Sequence, residues 1–91
     1  MLDKKQIKRL KEQAHFLKPL MNIGKEGFSQ EFTRSLLDAF NTKELIKIKY
    51  LDNSAETKDT VKAKIKKLHA VELVYQIGHT FVLYKPLDKD K

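Results

Sequence analysis

The residues with the clearest chemical potential lie in one short segment, between positions 22 and 29. Gly24 and Gly27 are separated by two residues, and Ser29 follows shortly after. Glycine adopts backbone angles that other residues avoid, so a loop with two glycines lets its main chain approach a ligand closely. Ser29 is a candidate helix N-cap, because its hydroxyl can accept a hydrogen bond from an unpaired backbone N–H. A strand, a glycine loop and a helix N-terminus in this order could bind phosphate, although two glycines at this spacing more often form a simple turn.

The other reactive residue types do not indicate an enzyme. The sequence has no cysteine, which excludes thiolate catalysis and is compatible with a reducing compartment. The three histidines, His15, His69 and His79, match no spacing of metal ligands. The glycine segment lacks the Gly-Lys-Ser/Thr ending of a Walker loop, and no serine has the setting of a nucleophile elbow. We therefore expect a protein without enzymatic activity, and with no metal or other cofactor.

Charge is the strongest compositional signal. The chain has 91 residues and a net charge of +7, with two basic blocks around a mildly acidic middle. Such a distribution favours a polyanionic partner, because lysines that face phosphates release condensed counterions, although a merely solvated surface is nearly as consistent with it. The lysine-rich N-terminus is not expected to be a signal peptide, and no apolar run has the length of about 20 residues that a membrane helix needs.

A capping pattern and an apolar stripe predict the first helix. Asp3 and Gln6 have the spacing of a capping box. Apolar side chains recur at helical spacing at Ile7, Leu10, Ala14 and Leu17. Basic side chains lie off this stripe at Lys4, Lys5, Lys8, Arg9 and Lys11. Few acidic residues interrupt them, so we favour a polyanion contact over an ordinary solvated face. Pro19 should end this helix near His15 or Phe16.

The next elements are a short strand at 19–23, a helix at 30–40 and a strand at 45–50. A repeat of four residues places Phe28, Phe32, Leu36 and Phe40 on one helix face, which predicts core packing rather than a base-stacking platform. The second strand alternates strictly, so its isoleucines should be buried while Lys47 and Lys49 face solvent.

A third helix is expected at 55–68, with a cap near Ser54. Its lysines include Lys58, Lys62, Lys64, Lys66 and Lys67. Glu56 and Asp59 could pair with some of them, so a solvated surface is the favoured interpretation of this row. Strands at 71–77 and 80–85, joined by a tight turn at Gly78, complete the chain before a charged tail at 87–91.

This order of elements predicts one α+β domain over residues 1–86. A helix is followed by a β-α-β-α-β-β arrangement in two layers, with a mixed four-stranded sheet. Strands that flank a helix should pair in parallel through right-handed crossovers, and the last hairpin should be antiparallel. The helices should cover mainly one face, because the lysines of the second strand need the other face to be wet.

Four segments together resemble one protein family. They are Ala14–Pro19, Ile23–Ser29, Glu44–Lys49, and Ile77–Gly78 with Val82–Pro86. In this order and spacing they are similar to the YhbY-like proteins of the chloroplast RNA splicing and ribosome maturation (CRM) domain family. The resemblance covers almost the whole chain. It implies a fold similar to that of the C-terminal domain of translation initiation factor three.

The resemblance also implies a function. Stand-alone bacterial members of this family are associated with precursors of the large ribosomal subunit, and organellar members with group II intron splicing. The family loop, which would comprise Gly24, Lys25, Glu26 and Gly27, is thought to contact RNA. Glu26 departs from the neutral residue that phosphate binding would favour.

These observations lead us to expect a cytoplasmic, monomeric RNA-binding protein that does not bind membranes. Its expected partner is ribosomal RNA in the precursor of the large ribosomal subunit. Besides the loop, the expected RNA-contacting residues are Lys5, Lys8, Arg9, Lys11 and Lys18. The alternative is a protein-interaction module, in which Lys47 and Lys49 dock on an acidic protein of the ribosome.

Overall fold

The structure, a computed structural model, describes residues 3–68 and 70–86. His69 and the predicted tail at 87–91 lie outside the described residues. In chain order the elements are α1 (Lys4–Ala14), β1 (Met21–Ile23), α2 (Gln30–Ala39), β2 (Leu45–Tyr50), α3 (Lys58–Lys67), β3 (Glu72–Ile77) and β4 (Thr80–Tyr84). This confirms the predicted order of three helices and four strands. No helix in the described part of the chain is long and apolar enough to cross a membrane.

The four strands form one mixed sheet in the order β1-β2-β4-β3. β1 and β2 pair in parallel, as the helix between them predicts, and β4 is antiparallel to both of its neighbours. The helix α3 between β2 and β3 had suggested that these strands also pair in parallel, and this detail is wrong. Both strands run in the same direction, but β4 folds back from the turn at Gly78 and lies between them.

The larger core lies between the sheet and the helices α2 and α3. Ile23, Ile46, Ile48, Phe81 and Leu83 of the sheet are buried in it. From the helical side, and from the segment before α2, the buried side chains are Phe28, Leu36, Phe40, Val61 and Ile65. The predicted aromatic stripe of α2 is therefore a core stripe, with Phe32 packed at its edge. Each fully buried side chain of this size contributes roughly 1.5–3 kcal/mol of transfer free energy.

The helix α1 packs on the opposite face of the sheet. Leu10 and Ala14 form a second buried cluster there with Val74 and Val82. Two of the three helices thus share one face, as expected, but the face that carries Lys47 is not simply wet. The Lys47 ammonium donates hydrogen bonds to the carbonyl oxygens of Ala14 and Leu17, both at 3.3 Å. Carbonyls at a helix C-terminus carry partial negative charge, so this lysine fastens the end of α1 to the sheet.

Most element boundaries agree with the prediction to within about one residue, and the starts of α3 and β1 differ by more. α3 begins at Lys58, with Thr57 rather than Ser54 as its N-cap. The Ser54 hydroxyl is instead used within the preceding loop, where it accepts from the Glu56 N–H at 3.2 Å and donates to the Glu56 carbonyl oxygen at 3.1 Å. β1 begins at Met21 rather than at Pro19, which has no N–H to donate to a strand ladder.

Candidate functional site

The glycine loop follows β1 at the end of the sheet where β2 also ends. The Gly24 carbonyl oxygen accepts hydrogen bonds from the N–H groups of Gly27 at 2.9 Å and of Ala55 at 3.4 Å. Gly27 has a φ of +67°, in the left-handed region that favours glycine, whereas Gly24 lies outside that region. The predicted loop therefore exists, but its conformation requires glycine at only one of the two positions.

Glu56, in the loop before α3, contacts the residue that follows this turn, Phe28. Its Oε1 accepts a hydrogen bond from the Phe28 N–H at 2.5 Å. A Cβ atom added at Gly27 would overlap the Glu56 carboxylate, so the glycine also makes room for this contact. The Tyr50 hydroxyl donates to the Glu56 carbonyl oxygen at 2.6 Å, which fixes the backbone of Glu56 against the sheet.

Lys64 of α3 also holds this part of the chain, and we call the contacts of Glu56 and Lys64 with Phe28 the clamp. Its ammonium lies 2.5 Å from Glu56 Oε2 and donates to the Phe28 carbonyl oxygen at 3.2 Å. The hydrogen bond from Lys64, aided by the Phe28 N–H and opposed by desolvation, lowers the pKa of Glu56 below its usual 4.5. The sequence predicts that Glu56 could pair with lysines of the third helix, and the structure has one such pair. The contact of Glu56 with the residue after the glycine loop is not predictable from local patterns, because the two residues are 28 positions apart.

The helix α2 begins directly after the loop. The Ser29 hydroxyl accepts a hydrogen bond from the Phe32 N–H at 3.1 Å, which confirms the predicted N-cap. Together with the contacts above, this means that the N–H groups of Gly27, Phe28 and Phe32 have partners within the protein. A phosphate at the loop would therefore have to use other donors.

A shallow depression of about 310 Å³ opens beside the loop. Gly24, Gly27 and Ser29 contribute to its lining, and Lys25 is exposed at its margin. Glu26 and Glu31 also line it. The carboxylate of Glu26, the residue that departs from the neutral one expected for phosphate binding, is therefore part of the depression. The depression gathers one cation and two carboxylates around a glycine backbone.

The basic residues of α1 lie elsewhere on the molecule. Lys5, Lys8, Arg9 and Lys11 are exposed on a helix that packs on the sheet face opposite α2 and α3. Arg9 lines a groove together with Tyr84, and Tyr84 pairs with the first residue of β2. The glycine loop lies near the last residue of β2, at the other end of this strand. The Lys11 ammonium lies 5.1 Å from the centroid of the Tyr75 ring, a cation–π contact. The structure thus separates the two predicted parts of the site. The helix α1 lies on one face of the sheet, whereas the loop lies at the end of β1 and leads into α2 on the other face.

The connection from α1 to β1 carries Lys18 and an unusually exposed aromatic residue. Lys18 is exposed, and Phe16 has 86% of its surface accessible to solvent. The sequence predicts Phe16 as a possible end of the first helix and as part of the family segment Ala14–Pro19, but assigns no role to its side chain. Phe16 does not belong to the apolar stripe of α1, and this position in the sequence is consistent with its exposure.

Within 3–68 and 70–86, no three histidine, aspartate or glutamate side chains are grouped so that they could share a metal ion. His79 Nε2 lies 3.2 Å from Asp52 Oδ1, and both side chains of this pair are exposed.

Comparison with known proteins agrees with the motifs in the sequence. The sequence profile of the CRS1 / YhbY (CRM) domain matches residues 2–85. The chain is 36% identical over 91 residues to the Probable RNA-binding protein YqeI of Bacillus subtilis, covering all of this chain and 95% of that protein. It is 34% identical over 90 residues to a protein of Haemophilus influenzae named RNA-binding protein, covering 99% and 91% of the two chains.

A solved structure is similar as well. It is the solution structure of a hypothetical Staphylococcus aureus protein for which RNA binding has been suggested, with a TM-score of 0.78 and 31% identity. The match covers 100% of this chain and 95% of the other. The sequence profile, the relatives and the fold agree over almost the full length, and the chain therefore belongs to the CRS1/YhbY (CRM) domain family.

Proposed function

We propose that this protein binds RNA through its glycine loop, and that its target is ribosomal RNA in the precursor of the large ribosomal subunit. The observation that carries the proposal is the loop itself. It is held rigidly from behind by Glu56 and Lys64, while Gly24 and Lys25 border an open depression. The family and the names of the two relatives support RNA as the partner.

The contacts at the loop would fix the position of the RNA without reading its bases. Glycine lets the RNA backbone approach the main chain, and Lys25 adds a positive charge for a phosphate. Lys18 lies on the connection that leads into β1, at the other end of that strand from the loop, and would add a separate phosphate contact. Glu26 would repel a phosphate in the same depression, so affinity there should be modest.

The basic face of α1 would form a second contact, through Lys5, Lys8, Arg9 and Lys11. An RNA that touches both α1 and the loop has to extend from the face of the sheet that carries α1 to the end of the sheet, where the loop lies. A folded RNA with several helices can do so. This arrangement supports recognition of RNA shape, as the ribosomal target would require.

The alternative of a protein-docking face at Lys47 and Lys49 gains nothing from the structure. The Lys47 ammonium is already engaged by two carbonyl oxygens of the chain. Only Lys49 of that pair is exposed. We therefore propose no second function.

Binding of fragments of large-subunit ribosomal RNA, measured by fluorescence anisotropy over a range of salt concentrations, tests the proposal. Replacing Lys25 with Ala should weaken binding and lower the salt slope by about 0.7–0.9, the value for one phosphate contact. The matched control is Lys43→Ala, an exposed lysine in the turn before β2, which should leave the slope unchanged.

Combining Lys5→Ala, Lys8→Ala and Arg9→Ala tests the second surface. Unchanged affinity and slope in both Lys25→Ala and the triple variant would refute the proposed surfaces.

The ribosomal target is tested in cells. Crosslinking followed by sequencing of the bound RNA should recover large-subunit ribosomal RNA from the cytoplasm. In lysates, the protein should sediment with precursor large-subunit particles, and RNase should abolish this association. An RNase-resistant association would instead favour docking on a protein.

A further inference from the structure

A second groove begins where the glycine loop ends, between α2 and α3. It encloses about 670 Å³, and its lining includes Phe28, Thr33, Arg34, Leu37, Lys64 and Lys67. Arg34 and Leu37 are three residues apart on α2, as are Lys64 and Lys67 on α3, so each pair lies on one face of its helix. The two faces confront one another across the groove, and Ser29 belongs to the walls of both this groove and the loop depression.

The charges of the two cavities differ sharply. The loop depression has one lysine and two glutamates in its lining. Among the described residues, the α2–α3 groove is lined by Arg34, Lys64 and Lys67 and by no carboxylate. The charge of Lys64 is offset by Glu56. In the described part of the chain, neither Arg34 nor Lys67 forms an ion pair, so these two residues supply the surplus positive charge.

The groove also has an apolar part, because Phe28 and Leu37 belong to its lining. Leu37 is 39% exposed, although Leu36 of the same helix is fully buried. Double-stranded RNA presents phosphates and sugar hydroxyls to a protein, whereas an unpaired nucleotide also presents the flat apolar face of its base. A groove that combines an apolar side chain with the cations Arg34 and Lys67 matches an unpaired nucleotide, because such sites combine a basic groove with surfaces against which bases pack.

We infer that the α2–α3 groove binds one or two unpaired nucleotides of the RNA that contacts the glycine loop. Arg34 and Lys67 contact the phosphates, and one base packs against Leu37. This inference rests on the proposed function and specifies the ligand of that surface further, as a single-stranded segment in a loop, a bulge or an end. It also separates Lys67 from Lys62 and Lys66, which lie outside the groove and belong to the solvated row of α3.

The test compares variants on a short single-stranded RNA and on a blunt RNA duplex of the same length. Arg34→Ala combined with Lys67→Ala should weaken single-strand binding several-fold and lower its salt slope by about 1.4, for two phosphates of a single strand. The matched control, Lys62→Ala with Lys66→Ala, removes the same charge from the same region and should leave the slope within about 0.3 of the original.

The second arm isolates the base contact. Leu37→Ala should reduce affinity for the single strand about fivefold, without changing the salt slope, and should leave duplex binding unchanged. Ile77→Ala, at a side chain with 61% of its surface exposed at the end of β3, is the apolar control and should have no effect. Circular dichroism verifies that each variant is folded.

The outcomes separate this inference from the proposed function. If Lys25→Ala lowers RNA affinity while the groove variants behave like their controls, the groove inference is overturned and the loop proposal stands. If the groove variants lose single-strand binding while Lys25→Ala has no effect, the groove is confirmed and the contact at the loop is refuted. Equal losses on duplex and single strand would show a general phosphate surface and would overturn the assignment to unpaired nucleotides.

Discussion

The carboxylate of Glu56 and the backbone N–H of Phe28 are joined by a hydrogen bond of 2.5 Å, although 28 residues separate them in the chain. This bond fixes the glycine loop to the segment that precedes α3. Lys64 binds the other carboxylate oxygen and the Phe28 carbonyl oxygen, so Glu56 and Lys64 together hold the backbone of Phe28, which leads into α2. The candidate RNA-binding loop is therefore positioned by side chains that would not themselves contact the ligand there.

Replacing Glu56 with Ala should reduce the free energy of unfolding by about 1–3 kcal/mol. The variant leaves a partly buried N–H without its acceptor and removes the partner of Lys64. Urea denaturation followed by circular dichroism measures this change. Glu26→Ala, an exposed carboxylate in the glycine loop, is the matched control and should change stability by less than about 0.5 kcal/mol. Equal effects of the two substitutions would show that the clamp does not stabilise the fold.

The stability supplied by Glu56 should depend on pH. Its pKa in the folded protein lies below the usual 4.5, so the ionised carboxylate stabilises the fold above that pH. The contribution should disappear as the pH falls from about 4.5 through the lower pKa of the folded state. Urea denaturation at several pH values, for the native chain and Glu56→Gln, gives the difference in unfolding free energy. That difference should be constant near neutral pH and shrink in acid, and a difference that grew in acid would contradict the assigned pKa direction.

The two loop glycines should respond differently to substitution. Gly27→Ala places a side chain at a φ of +67° and against the Glu56 carboxylate, so it should destabilise the protein by at least about 1–2 kcal/mol. At Gly24 an added Cβ would lie 3.6 Å from Leu51 Cδ1, an ordinary van der Waals contact, and the φ is not left-handed. Gly24→Ala should therefore change the urea midpoint much less, and a larger loss at Gly24 than at Gly27 would be inconsistent with the loop geometry.

Replacing Lys47 with Met should loosen α1. The methionine keeps an apolar side chain but removes the ammonium that binds the Ala14 and Leu17 carbonyl oxygens, at a cost of about 1 kcal/mol. Hydrogen exchange should show reduced protection of the amides of α1, while those of α2 are unchanged. Lys49→Met is the control on the same strand, because Lys49 is exposed. Loss of protection in both variants would indicate a general effect on β2 rather than a specific anchor.

Much of the fold could be predicted because its signals are local. The capping box of Asp3 and Gln6 and the N-cap at Ser29 depend on residues within one helical turn, and the structure has both. The alternation in β2 likewise identified the strand at 45–50 and buried Ile46 and Ile48. The motifs of the chain were specific enough to indicate its family.

The tertiary structure alone determined how these elements meet. The place of α1 on the far face depends on the packing of Leu10 and Ala14 against Val74 and Val82, which lie more than 50 positions further along the chain. This packing also brings the carbonyl oxygens at the end of α1 to the Lys47 ammonium. The order of strands depends on the return of β4, which local spacing cannot specify.

The same division applies to the candidate site. The sequence by itself identified the glycine loop and a surplus of basic residues. Only the folded chain places the loop against Glu56 and the basic residues of α1 away from it. It also brings Arg34 of α2 and Lys67 of α3 to the lining of the same groove. The physical reason is that helix caps and strand alternation arise from interactions within a few residues. Grooves, clamps and continuous charged surfaces arise from side chains that only long-range packing brings together.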